Sequence, residues 1–141
     1  MEESTKFYLD SNVFINAAAD DTLLGAKSRE IINAVQNNKI SAVTSCITID
    51  ETAWILRKTQ EKALVLNNCK MFLDSNIKFL DVNKGIINVS LEINKEFNLK
   101  PRDAIHAATM KVNDIKNLIS EDNDFDKVSW IKRKSIIDFK L

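Results

Sequence analysis

The sequence predicts an α/β fold built on a central parallel sheet of four to five strands, and three observations lead there. Short apolar stretches alternate with segments of helical periodicity along the whole chain, the pattern of strands joined by right-handed helical crossovers. At 141 residues the chain has the length of one domain. Residues 1–141 therefore read as a single unit, and folding at this size hides roughly 68% of the extended chain's surface. Two glycines and one proline leave little room for linkers, and 45% apolar with 28% charged residues is the balance of an ordinary globular protein, not of a disordered one.

Each element has its own signal. Lys6 to Leu9 reads as a first strand ending at Asp10, followed by a short helical piece from Val13 to Ala19. Leu24, Ser28, Ile31 and Val35 recur at helical spacing, so Thr22 to Gln36 is an amphipathic helix with Thr22 as its cap. Ile40 to Val43 is a second strand, and Thr48 to Lys58 a helix with Trp54 and Ile55 as its core contacts. Val65, Cys69 and Phe72 mark another helix, and Ile77 to Val82 a third strand. Ile86, Val89, Ile93 and Phe97 form one helical stripe. Pro101 opens the next helix, at the position where its missing N–H costs nothing, and Ile105, Ala108 and Val112 are that helix's buried stripe. Ile115 to Ser120 is the fourth strand, and either Val128 to Ile131 or Ile136 to Phe139 supplies a fifth.

Composition excludes several classes of function. The longest unbroken apolar runs, Ala53 to Leu56 and Ala63 to Leu66, are four residues, against the ~20 of a spanning helix. The start, Met1 to Thr5, is acidic and has no apolar signal-peptide core. Cys46 and Cys69 match no metal or redox spacing. Both are expected to be reduced and buried, in a cytoplasmic protein. Twenty basic and twenty acidic residues cancel, so a nucleic-acid partner must be gripped locally and not by bulk charge.

In parallel sheets, sites form outside the carboxyl ends of the strands, and four acids stand near such ends. Asp10 closes the first strand, Glu51 follows the second, Asp122 follows the fourth, and Asp103 begins the helix leading into the fourth. Each has an ordinary explanation taken alone. Asp10 suits a turn. Thr48-Ile49-Asp50-Glu51 reads as a capping box, Asp103 complements a helix dipole, and Asp122 sits in a polar loop with Asp124 and Asp126 as competing acids. Their conjunction on one edge is less ordinary, although Asp103 is expected to need a long or bent helix start to reach it. Four such carboxylates repel and require protons or cations. An all-oxygen site suits Mg²⁺ or Mn²⁺, which can support phosphodiester cleavage.

These residues resemble a known family. Tyr8-Leu9-Asp10-Ser11-Asn12-Val13-Phe14-Ile15 is similar to the opening motif of PIN domains, including VapC-type toxins. Lys100-Pro101-Arg102-Asp103-Ala104-Ile105-His106-Ala107-Ala108 resembles the third acidic motif, and Ser120-Glu121-Asp122-Asn123-Asp124-Phe125 the fourth. Glu51 stands where the family places its second acid. The resemblance spans Phe7 to about Ile131 and implies a three-layer α/β/α sandwich and a metal-dependent ribonuclease. It implies Asp10, Glu51, Asp103 and Asp122 as the acidic quartet, with Asp10, Asp103 and Asp122 as direct Mg²⁺ or Mn²⁺ ligands and Glu51 acting through water. Asn12 and Ser120 would orient carboxylates or phosphate, and cleavage would leave a 5′-phosphate and a 3′-hydroxyl. One departure is the turn before the third motif, where many relatives have Gly and this chain has Asn98-Leu99-Lys100.

His106, three residues past Asp103, reads as a hydrogen-bonded packing residue beneath the carboxylates. Trp54 and Trp130 read as core and not as base-stacking platforms. Arg102, Lys100 and the basic tail from Lys127 are candidate phosphate contacts. The expected partners are RNA, a second copy of the chain and a small antitoxin. The alternatives are a PIN-type nuclease of RNA processing or quality control, and a degenerate PIN fold that binds RNA or protein. A dehalogenase-type phosphotransfer enzyme would place a second Asp where Asn12 stands.

Overall fold

A computed structural model describes residues 5–141; the acidic start at Met1–Ser4 lies outside them. The elements, in order, are β1 Lys6–Leu9, α1 Ser11–Ala19, α2 Leu23–Gln36, β2 Ser41–Ser45, α3 Cys46–Leu56, α4 Lys62–Leu73, β3 Lys78–Leu80, α5 Lys84–Phe97, α6 Pro101–Val112, β4 Asn117–Ile119, a 3₁₀ turn Asn123–Lys127 and β5 Lys132–Lys134. The five strands form one sheet in the order β3-β2-β1-β4-β5, and every pairing is parallel. The chain builds outward from β1 through β2 and β3, then returns to the other side of β1 with β4. The reversal makes the carboxyl ends of β1 and β4 the switch point of the sheet, the position where parallel sheets hold ligands.

Two apolar layers cover the sheet. On one face Tyr8, Val43 and Leu118 pack under Ile86 and Ile93 of α5 and Ala104, Ala107, Ala108 and Met110 of α6. On the other, Leu9, Ala42 and Ile119 meet Val13 and Phe14 of α1, Ile31 and Val35 of α2 and Phe72 of α4. Alternation along β1 therefore sends Tyr8 to one layer and Leu9 to the other, as a period of two requires. The α3–α4 pair adds a small satellite core of Leu56, Val65 and Cys69 against Ile15 and Ala18 of α1. The result is the α/β/α sandwich. Among the described residues no helix is long and apolar enough to cross a membrane.

Several expectations need correction. β5 is Lys132–Lys134, between the two apolar stretches proposed for it. Those stretches are core plugs instead: Val128 and Ile131 enter one layer, and Ile136 and Phe139 the other. α3 begins at Cys46 with Ser45 as its N-cap, so Thr48 and Glu51 lie inside the helix and form no capping box. Thr48, Thr52 and Leu56 are its buried residues, while Trp54 and Ile55 are 51% and 39% exposed. Thr48 turns inward because its hydroxyl bonds that of Thr44 at 2.6 Å. The exposed Trp54 ring carries the Arg57 guanidinium, 3.6 Å from its centroid. Cys46 is exposed and Cys69 buried. Val112 is exposed, and the buried face of α6 is Ala104, His106, Ala107, Ala108, Thr109 and Met110.

Helix starts show how local chemistry sets the elements. Thr22 is the N-cap of α2 but makes no side-chain cap bond. Asp20 supplies it, accepting from the backbone N–H of Thr22 at 2.7 Å and of Gly25 at 3.1 Å. Pro101 occupies the first turn of α6, as its sequence context predicts. The turn before it closes through Asn98, which takes the left-handed conformation at φ 54, a role usually given to glycine that asparagine tolerates.

Candidate metal centre

Asp10 is the N-cap of α1, and its Oδ1 accepts from the N–H of Ser11 at 2.7 Å. The backbone N–H of Asp10 bonds the carbonyl of Ile119 at 3.1 Å, which ties the end of β1 to the end of β4. Across that junction the buried Ser120 hydroxyl donates to Asp10 Oδ2 at 2.6 Å. The Asn12 amide donates to Asp10 Oδ2 and to Ser120 Oγ, each at 3.3 Å. Ser120 Oγ in turn accepts the N–H of Asp122 at 3.0 Å. Asn12 and Ser120 thus fix the rotamer of Asp10 and the start of the loop that carries Asp122.

The second acidic group is built by the start of α6 and the loop after β4. Carboxylate oxygens of Asp103, Asp122 and Asp124 lie within 4.8 Å of one another. Asp103 reaches this edge without a bent helix start, contrary to expectation. A helix that feeds directly into a parallel strand runs antiparallel to it, so its first turn already lies over the carboxyl edge. Burial pushes the Asp103 carboxyl up from 3.8 to about 7, helped by the charges of Asp122 and Asp10 and opposed by His106. Asp124 joins the cluster, anchored by its N–H to Asp122 Oδ1 at 2.9 Å. Asp126 does not. Arg133 holds it in a two-pronged ion pair at 2.9 and 3.0 Å on the far side of the 3₁₀ turn.

Glu51 enters from the middle of α3 and pairs with His106 of α6. His106 is fully buried. Its Nδ1 faces the Tyr8 hydroxyl at 2.6 Å, and its Nε2 bonds Glu51 and lies 3.8 Å from Asp10 Oδ1. Burial alone would lower its pKa. The Tyr8 oxygen and the Glu51 and Asp10 carboxylates outweigh that, and the imidazole is held protonated well above 6.5. In that form Nδ1–H donates to Tyr8 and Nε2–H to Glu51. His106 is therefore the hydrogen-bonded residue beneath the carboxylates that its sequence context predicts, with both nitrogens engaged.

The donor set left for a metal is then carboxylate oxygen alone: Asp10, Glu51, Asp103, Asp122 and Asp124. Burial, reinforced by the charges of Asp122 and Asp10, keeps a proton on Asp103 up to about 7. This chemistry fits a hard divalent cation such as Mg²⁺ or Mn²⁺. Arg102, beside Asp103 in the first turn of α6, is exposed. Trp130 packs against the core.

Tyr8 and Ser45 had no role in the sequence reading, and Arg133 entered it only within the basic tail. Tyr8 shares a strand face with Asp10, two residues on, and period-two reasoning alone places it beneath the site. Arg133, hidden in a basic run, bonds the carbonyl of Ser120 at 3.0 Å besides holding Asp126. Ser45, which ends β2 on the same edge, has a buried hydroxyl without a hydrogen-bond partner among the described residues.

Comparison with known proteins agrees with this architecture. The PIN domain family model matches residues 7–131. Ribonuclease VapC2 of Methanocaldococcus jannaschii is 27% identical over 143 aligned positions, covering 92% of this chain and 93% of the relative. Ribonuclease VapC6 of the same organism is 33% identical over 84 positions, 60% of this chain and 52% of the relative. The crystal structure of DNA-bound VapBC from Salmonella typhimurium aligns with a TM-score of 0.73 at 18% identity, covering 94% of this chain and 98% of the other.

Proposed function

This chain belongs to the PIN domain family, and on that premise we propose that it is a metal-dependent endoribonuclease that hydrolyses RNA phosphodiester bonds as the toxin of a type II toxin–antitoxin pair. The observation that carries this reading is the convergence of Asp10, Glu51, Asp103, Asp122 and Asp124 on one sheet edge with no nitrogen donor free. The names of its Methanocaldococcus relatives support the nuclease. The VapBC fold neighbour is consistent with a small antitoxin as partner.

Asp10, Asp103 and Asp122 are the proposed direct ligands of Mg²⁺ or Mn²⁺, with Glu51 acting through water and Asp124 reinforcing the negative field. A divalent ion held by these carboxylates would supply Lewis-acid activation of water and charge neutralisation at the phosphate. The remaining work belongs to the chain. Ser120 and Asn12 hold Asp10 in one rotamer, so that the site is preorganised before RNA arrives. His106 pins Glu51 and stops the acids from repelling one another apart. Arg102 and Lys100, at the start of α6, are the proposed contacts for phosphate oxygens. Hydrolysis in this arrangement leaves a 5′-phosphate and a 3′-hydroxyl. The proposed working form is a cytoplasmic homodimer, restrained by the antitoxin.

The test is cleavage of total cellular RNA by purified protein with Mg²⁺ or Mn²⁺, with mapped ends. Discrete cuts bearing 5′-phosphates, lost with a chelator and in Asp103→Asn, are expected. Cutting by Asp103→Asn at the unsubstituted rate overturns the assignment of the site.

A further inference from the structure

We propose that the amino edge of the sheet, at the opposite pole from the carboxylates, is a second and sequence-independent contact for the RNA backbone. The inference rests on the ribonuclease reading of the carboxyl edge and extends it to how the substrate is held.

The charges of this neutral chain are segregated by the sheet. Lys6 opens β1, Lys78 opens β3 and Lys132 opens β5, while Lys39 stands two residues before β2 and Lys116 directly before β4. Every strand therefore brings one lysine to the same edge. All five are exposed, and among the described residues none is in an ion pair with a carboxylate. Five strands at about 4.8 Å spacing make a ridge about 19 Å long. Asp114, in the turn before Lys116, is an acid at the same edge, and Glu2 and Glu3 precede Lys6 in the sequence.

The ridge is also concave. A groove of about 530 Å³ lies along its β1, β2 and β3 portion, lined by Lys6, Lys39 and Lys78 together with Asn38, Ser41 and Asn76, and among the described residues no carboxylate lines it. Lysine ammonium groups with amide and hydroxyl neighbours suit phosphate and sugar oxygens, which position a nucleic acid without reading its bases. An acidic peptide would satisfy the charges equally, but a second feature favours the nucleic acid. β5 is one of the two outer strands of the sheet, and its exposed Lys132 and Lys134 lead from the ridge to the other edge. The carbonyl of Lys134 accepts the N–H of Ser120 at 3.0 Å, so the basic track ends beside the carboxylates. One strand of RNA lying along it would reach both poles.

The experiment compares two triple variants, each on the Asp103→Asn background with chelator so that the RNA stays intact. One is Lys6→Gln/Lys39→Gln/Lys78→Gln. The other is Lys58→Gln/Lys62→Gln/Lys95→Gln, an equal charge change at exposed positions away from the amino edge, in the turn after α3 and in α4 and α5. Affinity for a labelled single-stranded RNA of about 30 nucleotides is read by anisotropy between about 50 and 200 mM salt. The amino-edge triple is expected to bind about tenfold or more weakly at the lower salt. Its slope of log affinity on log salt is expected to fall in magnitude by about 2, from three lost contacts at about 0.7 each. The control triple keeps the slope of the parent. Equal affinities and slopes for the two triples, or no binding by the parent, overturn the ridge as an RNA contact and leave an acidic protein segment as its occupant. Cleavage by the unsubstituted protein with Mn²⁺ is scored in parallel. Cleavage with indistinguishable triples overturns the ridge alone. Weakened binding without cleavage supports the ridge and overturns the nuclease.

Discussion

At Asp103, burial and two neighbouring carboxylates act in the same direction, holding a proton to about pH 7 on a group that ordinarily loses it at 3.8. Between those values the folded chain binds a proton that the unfolded chain has released, so stability falls as pH rises through that window. His106 acts with the same sign. Its folded pKa is raised, so the stability its pairs contribute is complete below 6.5 and is lost as pH climbs through the raised value. The metal-free protein is therefore expected to be most stable in mild acid. Asp103→Asn removes the repulsion without changing shape, and after solvent screening of this half-buried group the gain is about 1 kcal/mol. Thermal melts in chelator should show Asp103→Asn about 3–5 °C above the parent at pH 8, with the gap closing towards pH 4. Parallel profiles at every pH would remove the charge conflict assigned to this residue. Asp10, Asp103 and Asp122 are legible in the sequence because each follows a strand or opens a helix whose apolar pattern is strong. Tyr8, Ser45 and Arg133 were not, because a tyrosine in a strand, a serine at a helix start and an arginine in a basic run have ordinary uses that spacing cannot separate from these.

Among the elements, legibility followed how one-sided the burial is. α4 buries Val65, Cys69 and Phe72, and α5 turns Ile86 and Ile93 inward with Val89 and Phe97 beside them, as the periodicity requires. α3 defeats the same reasoning. Its sequence, Cys-Ile-Thr-Ile-Asp-Glu-Thr-Ala-Trp-Ile-Leu, is apolar on more than one side. The inward face is chosen by hydroxyls: Thr44 to Thr48 at 2.6 Å, and Thr52 to the Thr48 carbonyl at 2.7 Å. β5 defeats it differently, because an outer strand needs only backbone pairing and Lys-Arg-Lys has no apolar pattern to read. The start of α2 depends on an absent side chain. A Cβ on Gly25 would lie 1.8 Å from the backbone oxygen of Asp20, the residue that caps the helix. Gly25→Ala must displace that turn, and a loss of about 1–3 kcal/mol is expected, read by denaturant melts. A variant as stable as the parent would mean that the Asp20 turn yields freely. Gly85→Ala, whose nearest neighbour would be the Asn83 Oδ1 at 3.4 Å, is the matched control.

Across the whole molecule, the strand order dictates where the chemistry sits. Reversal at β1 leaves its carboxyl end flanked by β2 and β4, so acids far apart in sequence meet there without strain in any one element. The cost is electrostatic, carried as a protonated Asp103 and a buried imidazolium, and a bound cation would relieve it. Stability should then rise with metal by linkage, by about 2.7 kcal/mol at a hundredfold excess over the dissociation constant, or on the order of 8 °C for a chain of this length. Protons and metal compete for the same oxygens, so the Mn²⁺-induced rise should be larger at pH 8 than at pH 5.5, where Asp103 is neutral. Asp103→Asn should lose most of the rise. Asp126→Asn should keep it, because Asp126 faces Arg133 and not the cluster. Melts of the three proteins across a Mn²⁺ series decide the matter. Equal shifts in both variants would place the cation elsewhere on the acidic loop, and no shift in the parent would mean that the protons of Asp103 and His106 already suffice to hold the carboxylates together.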